Sequence, residues 1–187
     1  MNGQCPQDEL MAALSALERL GPGAGVDALA PLRMRYPDDA RLIFLEGSLH
    51  AAAGDFERAR ATIARAVELE PDYRIARFQL GFLAFTSGDA GAAVEVWRPL
   101  LDADEDDALR LFAEGLDHFA RDDFAAALPL LRRGIAGNRD NPPLNADMQR
   151  LIDAVEAGAP PPAPEEDEPA SLAQLALRQS AARSTRH

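Results

Sequence analysis

Apolar residues recur along most of the chain at spacings of three and four, the pattern of helices that bury one face. Leu10, Leu14 and Leu17 show this spacing near the start, and residues 144–155 show it again near the end of the patterned region. Few segments alternate apolar and polar residues with a period of two. The pattern therefore predicts an all-α fold with essentially no sheet.

Small residues repeat along the chain with a period of 34. The glycines of this series are Gly47, Gly81 and Gly115, and the alanines are Ala59, Ala93 and Ala127. A fixed period of this length indicates stacked helical hairpins. Small side chains at both places let two helices approach to about 8–10 Å, so we expect each glycine to face the alanine of its own unit.

A turn signal separates the two helices of each repeated unit. The expected turn residues, which tolerate a left-handed backbone, are Gly54, Gly88 and Asp122. An aspartate follows each turn and is placed to cap the second helix, at positions 55, 89 and 123.

Together these positions resemble the tetratricopeptide repeat (TPR) family, whose pattern has small residues at positions 8, 20 and 27 of each unit. The resemblance implies an all-α, right-handed TPR-type solenoid of antiparallel helix pairs with a C-terminal capping helix. The expected segments are a degenerate repeat at 6–39, three repeats at 40–73, 74–107 and 108–141, a capping helix at 142–156, a proline-rich acidic linker at 157–169 and a tail at 170–187.

The resemblance also implies a partner-binding groove, because positions 2, 5, 9 and 12 of the first helices line the concave face in this family. The residues at these positions that we expect to form the groove are Phe44, Ile75, Phe78, Phe82, Phe85, Leu109, Phe112, Leu116 and Phe119. A continuous apolar groove would suit an amphipathic helix or an extended apolar segment of a partner. The alternative, a phenylalanine stripe that belongs to the core, stays open at this point.

The formal net charge of −12 argues against nucleic acid and anionic membranes as partners, because both select basic surfaces. No segment has the length of apolar residues that crosses a membrane, and the N-terminus lacks the pattern of a secretory signal, so we expect a cytoplasmic protein. All 19 basic residues are arginine, which is typical of GC-rich bacterial genomes. The single cysteine excludes an intramolecular disulfide.

No arrangement of residues indicates catalysis, a metal or a cofactor. His50 and His118 lie two units apart, and the acidic run at 102–107 lacks the invariant glycine and the terminal glutamate spacing of a calcium loop. The sequence thus predicts a non-enzymatic adaptor or chaperone-like module that binds a protein through an apolar segment. The alternatives are a structural or oligomeric subunit, or a regulatory subunit of an enzyme or membrane complex. Residues 170–183 could form a short helix that docks in the groove of its own chain.

Overall fold

A computed structural model describes residues 3–17, 19–20, 22–139 and 141–158. Within these residues all regular structure is helical, which confirms the predicted all-α class. The expected tail at 170–187, its docking segment and almost all of the expected linker lie outside the described residues. The chain divides into two compact units between Arg77 and Phe78, and each is described by itself. We call them the first unit and the second unit, as distinct from the 34-residue repeats.

The described helices follow the predicted period of 34. They are α1 (Gln7–Leu17), α2 (Pro22–Arg35), α3 (Ala40–Ala52), α4 (Phe56–Leu69), α5 (Arg74–Thr86), α6 (Ala90–Trp97), a 3₁₀ helix (Arg98–Leu100), α7 (Ala108–Ala120), α8 (Phe124–Gly137) and α9 (Pro142–Ala157). The first helices α3, α5 and α7 begin at the first residue of the units expected at 40, 74 and 108.

The turn inside each unit has the local chemistry that the sequence predicts. The backbone is left-handed at all three turn residues, with φ of 79° at Gly54, 88° at Gly88 and 59° at Asp122. The aspartate that follows each turn caps the next helix through its side chain. Asp55 accepts from the backbone N–H of Arg58, Asp89 from that of Ala92 and Asp123 from that of Ala126.

The close approach within each helix pair differs in detail from the expectation. A Cβ on Gly81 would lie 2.2 Å from Nε1 of Trp97, sixteen residues on, rather than against the alanine at position 93. The equivalent contacts join Gly47 to Ile63 at 2.5 Å and Gly115 to Leu131 at 2.8 Å. At Gly47 the expected alanine is also close, since a Cβ there would lie 3.3 Å from the carbonyl oxygen of Ala59. Each glycine thus faces the large side chain at position 24 of its own 34-residue repeat. The second helix of the repeat inserts that side chain into the space that the missing Cβ leaves.

Helix α6 has 8 residues where α4 and α8 have 14. Pro99, which has no N–H to donate, lies in the 3₁₀ segment Arg98–Leu100 that follows α6. Leu100 still reaches the core and is 1% exposed.

Each unit has its own buried interior. In the first, the cluster formed by α1, α2 and α3 contains Cys5, Leu10, Leu17, Leu29 and Leu42. In the second, α9 packs on α8 and buries Leu144, Met148, Leu151 and Ile152. The opposite face of α9 exposes Gln149, Arg150, Asp153 and Glu156. A helix with one apolar and one polar face is suited to end a helical stack.

Candidate partner-binding surface

Six of the nine residues expected in the groove are buried. Phe78, Phe82, Phe112 and Leu116 have no exposed surface, and Phe119 and Phe85 are 3% and 8% exposed. Side chains covered to this extent cannot contact a partner unless the helices separate. In this structure, therefore, these six residues do not form an open groove, and any contact they make with a partner remains a prediction.

The burial has a specific cause in the second unit, a set of rings that we call the aromatic cluster. Neighbouring ring centroids lie between 5.1 and 6.3 Å apart. The members are Phe78, Phe82, Phe85, Trp97, Phe112, Phe119 and Phe124. Because most of these rings are buried, the aromatic cluster forms part of the core of the second unit. Aromatic pairs at such distances add about 0.5–1.5 kcal/mol each beyond the area they bury.

Trp97 organises the aromatic cluster. Its ring stacks on that of Phe78 at a centroid distance of 5.8 Å, and its indole N–H donates to the carbonyl oxygen of Phe78 at 2.9 Å. Phe78 and Phe85 lie three residues before and four residues after Gly81, so all three share one face of α5. Gly81 leaves the space that Trp97 fills.

The other three expected groove residues, Phe44, Ile75 and Leu109, are half-buried. Phe44 is the large aromatic residue among them and lies in the first unit. Its ring meets Tyr73 edge to face, with centroids 5.3 Å apart and planes 67° apart. Burial raises the pKa of the Tyr73 hydroxyl, and the nearby Glu70 raises it further. We call Phe44 and Tyr73 the aromatic edge of the first unit.

A charged group lies one helical turn before Phe44. Arg41 donates to Asp39 at 2.6 Å and to the carbonyl oxygen of Cys5 at 2.7 Å. Asp39 also accepts from the backbone N–H of Cys5 at 2.7 Å. The guanidinium and the aromatic ring stand at i and i+3 on α3, so they share one side of the helix. This arrangement offers apolar contact area beside a fixed cation.

Three exposed residues escaped the prediction from sequence. Met11, Leu20 and Met34 are 50%, 42% and 84% exposed, and they belong to α1, the turn after it, and α2. The period of 34 identifies two of these residues as unusual. Leu20 stands at the turn position that holds glycine or aspartate in the other repeats, and Met34 stands 34 residues before Glu68.

The two histidines that the structure describes, His50 and His118, lie in α3 and α7. His50 is 5% exposed, and His118 pairs through Nδ1 with Asp123 Oδ2 at 3.0 Å, beside the turn between α7 and α8. In the part of the chain that the structure describes, no three acidic, histidine or cysteine side chains come together as metal ligands would. None of the described helices combines the length and the apolar character that crossing a membrane requires.

The fold is similar to that of MamA. The solved structure of residues 41 to the end of MamA from Desulfovibrio magneticus RS-1 has a TM-score of 0.58 and 14% sequence identity, covering 98% of this chain and 93% of that chain. The MamA RS-1 ArsTM double mutant has the same TM-score and identity, covering 98% of this chain and 99% of that chain. At this identity the likeness shows the fold alone, a TPR-type arrangement of helix pairs.

No protein-family model matches the sequence, and the comparison with curated proteins found no relative.

Proposed function

We propose that this chain is a non-enzymatic adaptor or chaperone-like module that binds an apolar segment of a protein partner through the aromatic edge of its first unit. The observation that carries the proposal is the half-buried pair of Phe44 and Tyr73 on a TPR-type scaffold. A half-buried ring already has one face packed and ordered. It can therefore cover further area on binding at a small cost in side-chain entropy.

The chemistry of this edge favours a particular kind of partner segment. Phe44 and Tyr73 supply apolar contact area, and Ser48 on the next turn uses its hydroxyl within α3, donating to the carbonyl oxygen of Phe44 at 2.9 Å. Arg41 is held by Asp39, so its charge is already balanced. The edge consequently suits a segment whose anchors are apolar, and the net charge of −12 favours partners that are basic or neutral outside those anchors.

Affinity capture from the native host with the full chain tests the proposal. Phe44→Ala should weaken capture of the partner, because truncation of an aromatic anchor costs about 2 kcal/mol, roughly 30-fold in Kd. Phe56→Ala is the matched control, since Phe56 is also a half-buried phenylalanine of the first unit but stands at the start of α4. Circular dichroism checks that both variants keep their helices.

Two results would contradict the proposal. One is a partner captured equally by wild type and by Phe44→Ala. The other is equal loss from both variants while both stay folded, which would place the contact outside the aromatic edge.

The second candidate function is that of an oligomeric subunit, which the exposed residues Met11, Leu20 and Met34 favour. This candidate uses a different surface from the aromatic edge, so the two can be tested separately.

A further inference from the structure

The sulfur atoms of the described residues differ widely in their exposure to solvent. Met34, near the end of α2, is 84% exposed, and Met11, in α1, is 50% exposed. Met148, in α9, has no exposed surface, and Cys5 is 2% exposed. Within the described part of the chain, Met34 is therefore the sulfur-containing side chain that a small solute reaches most easily.

The repeat pattern indicates that packing does not require a methionine at position 34. The residues at the same place in the following repeats are Glu68, Asp102 and Ala136, and all three are exposed. A side chain at this place faces solvent whether it is acidic, small or a methionine. A change from an apolar to a polar side chain at Met34 should therefore leave the core of the first unit intact.

The end of α2 is held by contacts that do not use the Met34 side chain. Arg33 forms an ion pair with Glu46 at 2.8 Å, and Arg35 forms one with Glu9 at 2.5 Å. These two arginines flank Met34 in the sequence. A chemical change at the thioether thus leaves both ion pairs in place.

The thiol of Cys5 is protected from oxidation, although a cysteine thiolate is ordinarily the more reactive sulfur. The backbone N–H of Cys5 donates to Asp39 at 2.7 Å, and its carbonyl oxygen accepts from Arg41 at 2.7 Å, so this segment is held against the start of α3. Burial raises the pKa of the Cys5 thiol, and Glu9 and Asp39 raise it further against the opposing effect of Arg41. Reaction of the thiol requires both opening of these contacts and loss of a proton, whereas a thioether has no proton to lose.

We propose that Met34 is a modification site, at which a peroxide oxidant forms methionine sulfoxide before it oxidises any other sulfur of the described residues. The thioether sulfur attacks one oxygen of hydrogen peroxide, so that an S–O bond forms as the O–O bond breaks. The sulfur loses two electrons, and the second oxygen leaves as water. Methionine sulfoxide reductases reverse this change. The modification does not involve the aromatic edge, so it is independent of the proposed function.

Treatment of the full chain with hydrogen peroxide at about pH 6, where a cysteine thiol is almost fully protonated, tests the proposal. Cleavage after glutamate places Met11, Met34 and Met148 on the separate peptides 10–18, 19–46 and 115–156. Mass spectrometry of these peptides over time should show an oxygen gained first at Met34 and next at Met11. Met148 should react about tenfold or more slowly than Met34, because its oxidation requires local opening of α9. Circular dichroism should show unchanged helix when Met34 is fully oxidised.

Met34→Leu is the matched control, since it keeps an apolar side chain and removes the sulfur. This variant should lack the first oxygen uptake, with the oxidation rates of Met11 and Met148 unchanged. In urea, where the chain is unfolded, the three methionines of the wild type should react at similar rates.

Two results overturn the proposal. One is oxidation of Met148 as fast as that of Met34 in the folded chain. The other is oxidation of Cys5 before Met34, measured as the loss of a thiol that can be alkylated after unfolding.

Discussion

Gly81→Ala should destabilise the second unit through a clash with Trp97. The added Cβ would lie 2.2 Å from Nε1 and 2.6 Å from Cδ1 and Cε2 of the indole ring, distances that real Cβ atoms do not show. Trp97 is 2% exposed, and the ring is stacked on Phe78, so it has little room to shift. Either the ring or the backbone of α5 must move.

The magnitude follows from three contributions. Overpacking of a core costs about 1–3 kcal/mol. Displacement of the ring also breaks the buried hydrogen bond from Trp97 to the carbonyl oxygen of Phe78, which costs about 1–3 kcal/mol when the donor is left without a partner. The higher helix propensity of alanine offsets about 1 kcal/mol of this loss in stability. We expect a net loss of about 3 kcal/mol in the free energy of unfolding.

Urea unfolding followed by tryptophan fluorescence measures this loss at the site itself, because Trp97 is the single tryptophan of the chain. Gly91→Ala is the matched control: its Cβ would meet nothing closer than Asp89 Oδ1 at 3.7 Å, so the change should be neutral or slightly stabilising. In the Gly81→Ala background, Trp97→Leu should cost less than it does in wild type. An unchanged or raised stability of Gly81→Ala would refute the packing argument.

Two further predictions concern a buried ring and a buried carboxylate. Phe82→Asp should unfold the second unit, because a carboxylate at a position with no exposed surface costs several kcal/mol, and circular dichroism should show loss of helix; native helicity with lost partner binding would return Phe82 to the groove. Asp39→Asn should cost about 1–3 kcal/mol near neutral pH. Burial raises the pKa of Asp39, but hydrogen bonds from Arg41 and from Cys5 outweigh it, and the pKa is lowered below 3.8. The stabilisation is therefore complete above about pH 4 and is lost as the pH falls through the lowered pKa, so the difference between wild type and Asp39→Asn should shrink in acid; a difference that grows in acid would contradict this sign.

The features that the sequence could predict are those decided within a few residues. A left-handed turn residue followed by aspartate determines where one helix ends and the next begins, so the turns at Gly54, Gly88 and Asp122 follow from local chemistry alone. The same holds for the period of 34, which is visible without any knowledge of which helices touch.

The burial of the phenylalanine columns could not be predicted in the same way. A position on a helix is groove or core according to what lies against it, and that depends on contacts between residues far apart in the sequence. Trp97 decides the outcome near α5, since it occupies the place held by Ile63 and Leu131 in the other units and adds a large ring beside Phe78 and Phe85. The sequence contains one signal for this burial, which is that the largest side chain, Trp97, stands sixteen residues after Gly81.

The central claim is that partner contact occurs at the half-buried aromatic edge of the first unit and not at its other half-buried phenylalanine, Phe56. Photo-crosslinking in the native host tests it most directly, with benzoylphenylalanine placed at residue 44 in one variant and at residue 56 in another. The account predicts a partner crosslinked from position 44 and none from position 56. A partner crosslinked from position 56 with none from position 44 would contradict it.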